Sequence, residues 1–354
     1  MQKRLSYLLL VLALSGQMLA QPPAGYYDQA AGLTGKVLQQ SLHDIIDDHA
    51  VVSYSDLWTC FQNTDKKPDG SVWDMYSDIP GGTSSYTYTF STDQCGNYSG
   101  EGDCYNREHS FPKSWFNDAT PMYTDLFHIY PTDGWVNNKR GNLPFGETDN
   151  PVWTSTNGSK VGPSSVTGYT SDIFEPVDEY KGDFARTYFY MATRYYGEDT
   201  AWPGSDMVTG AQPKPWAIEM LLAWNRNDAV STKEINRNNE VYKYQNNRNP
   251  FIDNPSFAEK IWGTLNSTGD IYNDPEPVLY PNPAYNYLNL RIPGYACPGI
   301  DINIYEASGC IVRHYIIDEC VTRLDINELP DGLYIIRIAY NKRVVTSLFV
   351  KVSK

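Results

Sequence analysis

Residues 264–278, Thr-Leu-Asn-Ser-Thr-Gly-Asp-Ile-Tyr-Asn-Asp-Pro-Glu-Pro-Val, divide the chain into two stretches of different hydrophobic period. Gly, Asn, Asp and Pro at that density favour turns over helix or strand, so this stretch is a linker. Upstream, apolar residues recur every three or four positions, the spacing of one helix face. Downstream they alternate over short runs between turn residues, the spacing of half-buried strands. The chain's 354 residues are enough for two domains, each with its own core. The expectation is an α+β domain over 21–263, then the linker, then a small all-β sandwich over 279–354.

In the first stretch, Val37, Leu38, Leu42, Ile45 and Ile46 make the apolar stripe of a helix capped by Thr34 and running to about His49. His43 falls beside that stripe and is read as a solvated helix residue, and His49 as a helix-end imidazole. Phe184, Tyr188, Met191 and Tyr195 mark another helix over 180–196. Pro215 opens a third, to about Asn225, and Ser231 with Glu234 form a capping-box pattern for a fourth from Thr232. Asn254 before Pro255 suggests a cap for a last helix ending near Trp262. Tyr86, Tyr88 and Phe90 alternate with threonines and read as a strand. Residues 149–172, rich in Ser, Thr, Gly and Asn, read as a long surface loop. Beyond the linker, Tyr287–Ile292, Ile302 with Ile304, Ile311 to Ile316, Gly332–Ile338 and Val344–Val352 give the sandwich strands.

The chain opens with Met1-Gln2-Lys3-Arg4, an apolar run from Leu5 to Leu14, and Ser15 to Ala20, the order of a secretory signal peptide over 1–20. The apolar run is too short to span a membrane and no other segment approaches that length. Export permits disulfides. Of the six cysteines, Cys95 and Cys104 flank one short Gly-rich loop, so these two are expected to pair. Cys-x-x-Cys spacing is absent, which disfavours a zinc finger. The formal net charge of −14 opposes tight, extended binding of nucleic acid, which ordinarily selects a basic surface. It does not oppose a hydrolase that neutralises phosphate locally, with weak, salt-dependent binding.

The chemistry concentrates in Cys104-Tyr105-Asn106-Arg107-Glu108-His109-Ser110-Phe111-Pro112-Lys113-Ser114, followed by Asp125-Leu126-Phe127-His128 and Val136-Asn137-Asn138-Lys139-Arg140-Gly141-Asn142. Successive strand residues face opposite ways, so Glu108 and His109 can share a site only where the strand ends. Phe111-Pro112 supplies such an end. Glu108 and an amide oxygen from Asn137 are hard donors suited to magnesium that keeps several waters. An imidazole beside them can deprotonate water near neutral pH. Arg107 or Arg140 can meet a phosphate with a planar fork. The set suits metal-assisted phosphodiester hydrolysis. Arg237, Lys243 and Arg248, among asparagines, form a second basic strip that can contact phosphate.

These motifs resemble the endonuclease I family. The resemblance continues through Phe174-Glu175-Pro176, Ala185-Arg186-Thr187-Tyr188-Phe189-Tyr190-Met191 and Asn246-Asn247-Arg248-Asn249-Pro250-Phe251-Ile252-Asp253, covering roughly residues 35–265. It implies a secreted or periplasmic, sequence-independent nuclease with a ββα-metal core and surrounding helices. Arg107 to Ser110 then lie on the first strand and Asn137 near the start of the helix. His109 is the general base, and Glu108 and Asn137 hold Mg2+, or another divalent ion such as Mn2+ or Ca2+. Asp125 and His128 stand behind them as orienting groups. Some members carry a phosphate-binding arginine between the two motifs. Ser110 to Val136 holds none here, only Lys113, which leaves Arg107, Arg140 and Arg186 for that role.

Tyr280-Pro281-Asn282-Pro283, Leu329-Pro330-Asp331-Gly332-Leu333-Tyr334 and the basic last strand resemble the C-terminal sorting domain of type IX secretion cargo. That resemblance implies the secretion machinery as a partner, beside the nucleic acid substrate, and a cell-surface or secreted location; separately, a monomer is expected. DNA is the expected substrate. An extracellular ribonuclease of the same family, or a non-catalytic surface-binding protein using the sandwich and tyrosines, are the alternatives.

Overall fold

The computed structural model describes residues 22–263, 277–292, 299–306, 308–318, 321–340 and 343–353. The signal-peptide reading of 1–20, most of the linker, Cys297 and Cys320 lie outside these residues.

Two helices come first, α1 (Gly35–Ile46) and α2 (Leu57–Thr64), and then β1 (Tyr105–His109) and β2 (Ile129–Asp133). The two strands pair antiparallel with Glu108 opposite Tyr130 and His109 opposite Ile129. β2 runs directly into α3 (Gly134–Arg140). Asp133 ends the strand and caps the helix, accepting from Val136 N at 2.8 Å, which satisfies one of the helix's unpaired first-turn amides. This β1–β2–α3 unit is the scaffold of the site.

The rest of the first domain encloses it. A three-stranded sheet is built from β3 (Trp153–Thr154), β4 (Lys160–Pro163) and β5 (Asp172–Glu175) in that order. The region expected to be a surface loop thus contains a β-hairpin. Its register sets Trp153 opposite Val161 and Phe174 opposite Val161 on the other side. The polar residues lie in the turns between these short strands.

α4 (Lys181–Arg194) is buried along its whole length. The short hairpin β6 (Val208–Thr209) and β7 (Gln212–Pro213) precedes α5 (Pro215–Asn227), α6 (Thr232–Gln245), α7 (Pro250–Asp253) and α8 (Ser256–Trp262). α4 packs against α1, α5 and α7. Because α4 has no solvent face, its charged residues need internal partners. The capping box of α6 is formed: Ser231 Oγ accepts from Glu234 N, and Ser231 N donates to Glu234 Oε2.

Several local expectations change. Residues 86–90 are not a strand; Tyr88 meets the chain by one backbone bond, accepting from Val72 N, and its ring packs with Val72 and Tyr105. Aromatic burial, not ladder pairing, fixes that segment. α1 stops at Ile46, and His49 lies beyond it, buried and accepting from Arg194 Nε at 2.9 Å. His43 is buried as well, its Nδ1 bonded to the Arg194 carbonyl at 2.9 Å. Asn254 does not cap α8; it accepts from Ser256 Oγ, while Asn249 caps α7.

The second domain has strands β8 (Val278–Tyr280), β9 (Tyr287–Arg291), β10 (Ile300–Glu306), β11 (Ile311–Ile317), β12 (Val321–Asp325), β13 (Gly332–Tyr340) and β14 (Arg343–Lys351). They form one sheet in the order β11-β10-β13-β14 and another in the order β12-β9-β8. Leu288, Leu290 and Leu324 from one sheet share a core with Ile302, Ile304, Ile336, Ile338 and Phe349 from the other. In β9 and β10 alternation delivers one face of the strand to that core, while Ile311 and Ile316 of β11 are exposed.

Candidate nuclease site

Glu108 is 3% exposed. Its Oε1 accepts from Tyr76 Oη at 2.9 Å and from Arg140 Nη1 at 2.8 Å, while Oε2 has no hydrogen bond among the described residues. Burial pushes the carboxyl pKa up, and Arg140 and the Tyr76 hydroxyl oppose that rise. Arg140 Nη1 also donates to the His109 carbonyl at 3.0 Å, Nη2 to the Ser110 carbonyl at 2.8 Å and Nε to the Leu143 carbonyl at 3.1 Å. Arg140 therefore straps the end of β1, where Glu108 and His109 are the last two residues of the strand.

His109 is buried, with Nε2 at 3.1 Å from the Tyr123 carbonyl. A carbonyl only accepts, so Nε2 carries the proton and Nδ1 presents the lone pair. Burial and the neighbouring His128 pull its pKa down to about 3. Asn137, one turn into α3, is half-buried and turns Nδ2 towards the Arg107 carbonyl at 3.5 Å, leaving Oδ1 without a partner among the described residues. Asp133 anchors this helix start twice more, its Oδ2 accepting from Tyr88 Oη at 2.6 Å and Gly102 N at 2.8 Å. Asp74 Oδ2 in turn accepts from Asp133 N at 2.8 Å. Cys95 and Cys104 form a disulfide immediately before β1, and the Tyr105 carbonyl accepts from Cys95 N.

Other site expectations need correction. Arg140 is 0% exposed and committed to Glu108 and three carbonyls, so it has no free fork for phosphate. Arg186, also 0% exposed, meets Glu234 at 2.5 and 2.9 Å. Arg237 is buried against Asp65 at 2.7 Å and the carbonyls of Leu126 and Ile129. Arg248 is held by both oxygens of Asp253 at 2.7 Å. The expected basic strip therefore does not form; of its members only Lys243 is exposed, and Glu240 sits 2.6 Å from its amine. These arginines answer the buried carboxylates of the helical layer. Lys113 is likewise engaged, by Asp118 at 2.5 Å.

Asp125 and His128 make no hydrogen bond to Glu108 or Asn137 among the described residues. Asp125 instead accepts from Phe127 N, Gln245 Nε2, Tyr190 Oη and Tyr195 Oη at 2.8–3.0 Å. It ties the 122–128 segment to α4 and α6. His128 Nε2 bonds the Met122 carbonyl at 2.7 Å, and its ring centre lies 5.6 Å from that of His109. Both thus support the segment that receives His109 Nε2. Sequence reasoning missed Tyr76 and Asp74, which fall in a turn-rich region with no motif spacing, and Tyr54 and Trp58. Elsewhere His43, Asp47 and Glu198 gather ligand atoms within 4.8 Å, but Arg194 Nη1 already bridges the two carboxylates at 2.7 and 2.8 Å.

Residues 34–256 match the family described as Endonuclease I, and residues 278–352 the family described as Secretion system C-terminal sorting domain. The chain is similar to extracellular ribonucleases of Bacillus amyloliquefaciens and Bacillus subtilis (strain 168). The two are 38% and 37% identical over 246 residues, and each comparison covers 67% of this chain and 78% of the relative. It is also similar to an Endonuclease-1 of Buchnera aphidicola subsp. Baizongia pistaciae, 29% identical over 130 residues, 36% of this chain and 46% of that protein. Among the described residues no helix is long and apolar enough to cross a membrane.

Proposed function

Since the chain belongs to the endonuclease I family, we propose that it is an exported endonuclease that hydrolyses DNA phosphodiesters without sequence preference, using a divalent metal and a histidine base. The observation that carries this reading is the buried His109, whose Nδ1 has no partner among the described residues, next to Glu108, whose Oε2 has no hydrogen bond among them.

The donor set fits a hard cation. Glu108 and Asn137 offer one carboxylate and one amide oxygen, each without a hydrogen-bond partner among the described residues, and magnesium is ordinarily held by few protein ligands and several waters. When bound there, such an ion supplies Lewis acidity to phosphate and leaving oxygens. His109 takes a proton from the attacking water at Nδ1 while its Nε2–H stays on the Tyr123 carbonyl, which fixes the ring's orientation. An anionic phosphate nearby favours the imidazolium and offsets the burial that holds His109 neutral. Arg140 opposes the burial that raises the Glu108 pKa and aims its carboxyl group. The sandwich domain acts as an export address for type IX secretion machinery, a reading supported by its match to the Secretion system C-terminal sorting domain family.

One observation favours a second reading, an extracellular ribonuclease: the relatives matched over 78% of their length carry that name. Supercoiled plasmid and structured RNA, each incubated with magnesium with and without chelator, test both. Plasmid nicking that chelator abolishes supports the DNA reading; cleavage of RNA alone transfers the proposal to the second. No cleavage of either with any divalent ion removes the enzyme reading.

A further inference from the structure

Seven arginines lie between residues 22 and 263, and six have a carboxylate within 4.0 Å. Arg107 alone has none among the described residues. Its guanidinium carbon stands 3.6 Å from the centre of the Tyr54 ring and 4.3 Å from that of Trp58, so two aromatic rings lie against it. Nη1 donates to the Tyr54 carbonyl at 2.8 Å. Nε is buried with no partner, and Nη2 donates to nothing among the described residues. Nε and Nη2 are the two nitrogens of one edge of the guanidinium, the fork that meets two oxygens of a carboxylate or phosphate. A desolvated donor without a partner is costly, and an acceptor meeting this edge would satisfy it.

Its place is equally specific. Arg107 and His109 are two apart on β1 and share a face. Tyr54 stands beside both: its ring is stacked on His109 at 6.3 Å with 21° between the planes. The Arg107 carbonyl faces Asn137 Nδ2. Cation–π contact with the two rings holds the plane of the guanidinium, and its donors, which lie in that plane, are thereby oriented for a planar acceptor.

We infer that Arg107 is the residue that grips the phosphate undergoing cleavage, with Tyr54 and Trp58 as the positioning residues that hold its fork edge-on beside His109. This rests on the nuclease reading above.

The test uses the full chain in two arms. In the first, binding of a fluorescent single-stranded DNA oligonucleotide is followed by anisotropy in EDTA across a salt series. Arg107→Gln is expected to lower the slope of log affinity against log salt by about 0.7, one phosphate contact on a single strand. In the second, single-turnover cleavage with magnesium is expected to fall on the order of 10²–10³-fold in Arg107→Gln, the loss typical of one oriented transition-state donor. Arg107→Lys, which keeps the charge but not the fork, should lose nearly as much cleavage while keeping the salt slope. Tyr54→Ala should reduce cleavage about tenfold, in line with a cation–π contact, and Tyr54→Phe, which keeps the ring, should restore it. Circular dichroism checks that each variant is folded.

Folded Arg107→Gln or Arg107→Lys within about threefold of the parent in cleavage overturns the inference while leaving the nuclease reading standing. If Arg107→Gln does not fold, Arg107→Lys decides. A parent chain that neither binds nor cuts removes both.

Discussion

Arg140 Nη1 donates to Glu108 Oε1 at 2.8 Å while also donating to the carbonyl of His109. One guanidinium thus fixes the proposed metal-binding carboxylate and the backbone of the proposed base. Both partners are buried, so the pair is intolerant of losing one member: leaving a buried charge unpaired costs about 3–5 kcal/mol. Arg140→Ala is expected to destabilise the first domain by that order, read from urea unfolding. A variant with parental stability would show that water reaches Glu108 and that the strap is dispensable.

His109→Ala tests the base separately from the metal ligands. Turnover should fall roughly 10²–10⁴-fold, the span of general-base catalysis, while manganese or calcium affinity measured by calorimetry stays close to the parent's. Glu108→Ala should lose both. If the two variants weaken the metal equally, His109 is a ligand instead.

Much of this site was legible because its parts are local. Glu108, His109 and the proline-ended strand lie within a few residues, the Ser231–Glu234 box spans three, and the Cys95–Cys104 loop spans nine. The arginines misled because their partners are remote. Arg186 meets Glu234 across 48 positions and Arg237 meets Asp65 across 172, and no spacing in the sequence announces either. The same distance hid Tyr76, 32 positions from Glu108, and Tyr54, 53 from Arg107. In the second domain β9, β10, β11, β13 and β14 were readable from their own alternation, whereas β8 and β12, only three and five residues long, were not anticipated.

The misread basic strip gives a contrast that is easy to measure. Lys243→Ala, at an exposed site beside Glu240, should change stability by less than about 0.5 kcal/mol. Arg237→Ala removes the buried partner of Asp65 and should cost about 3–5 kcal/mol. Thermal and urea midpoints of the two variants should therefore separate widely. Equal effects would return Arg237 to the surface and reopen the strip as a phosphate contact.

Asp74 connects stability to pH. Burial, reinforced by Asp133, raises its carboxyl pKa from 3.8 to about 7. The folded state therefore holds this proton more tightly than the unfolded chain. Its contribution to stability is complete below the unfolded pKa and is lost as pH rises through about 7. Asp74→Asn cannot ionise and should flatten the fall in urea midpoint between about pH 4 and pH 7. An unchanged pH slope would mean that Asp74 stays ionised in the fold, stabilised by the amides of Tyr76 and Asp133.

The division of labour between the domains follows from where chemistry and export signals sit. Glu108, His109, Asn137 and Arg107 all precede the linker, and the match to the sorting-domain family begins at 278. The buried core of the first domain and that of the sandwich have no residue in common, as expected of units that fold separately. His314, the sandwich's one histidine, is exposed and paired with Asp301 at 3.1 Å, a surface ion pair of small energetic weight. Truncation after Trp262 should therefore keep the specific activity of purified protein, while the same deletion in the native host should stop export. A truncated chain that folds by circular dichroism but no longer cleaves would make the sandwich part of the working enzyme, and an export address would then be only half of its role.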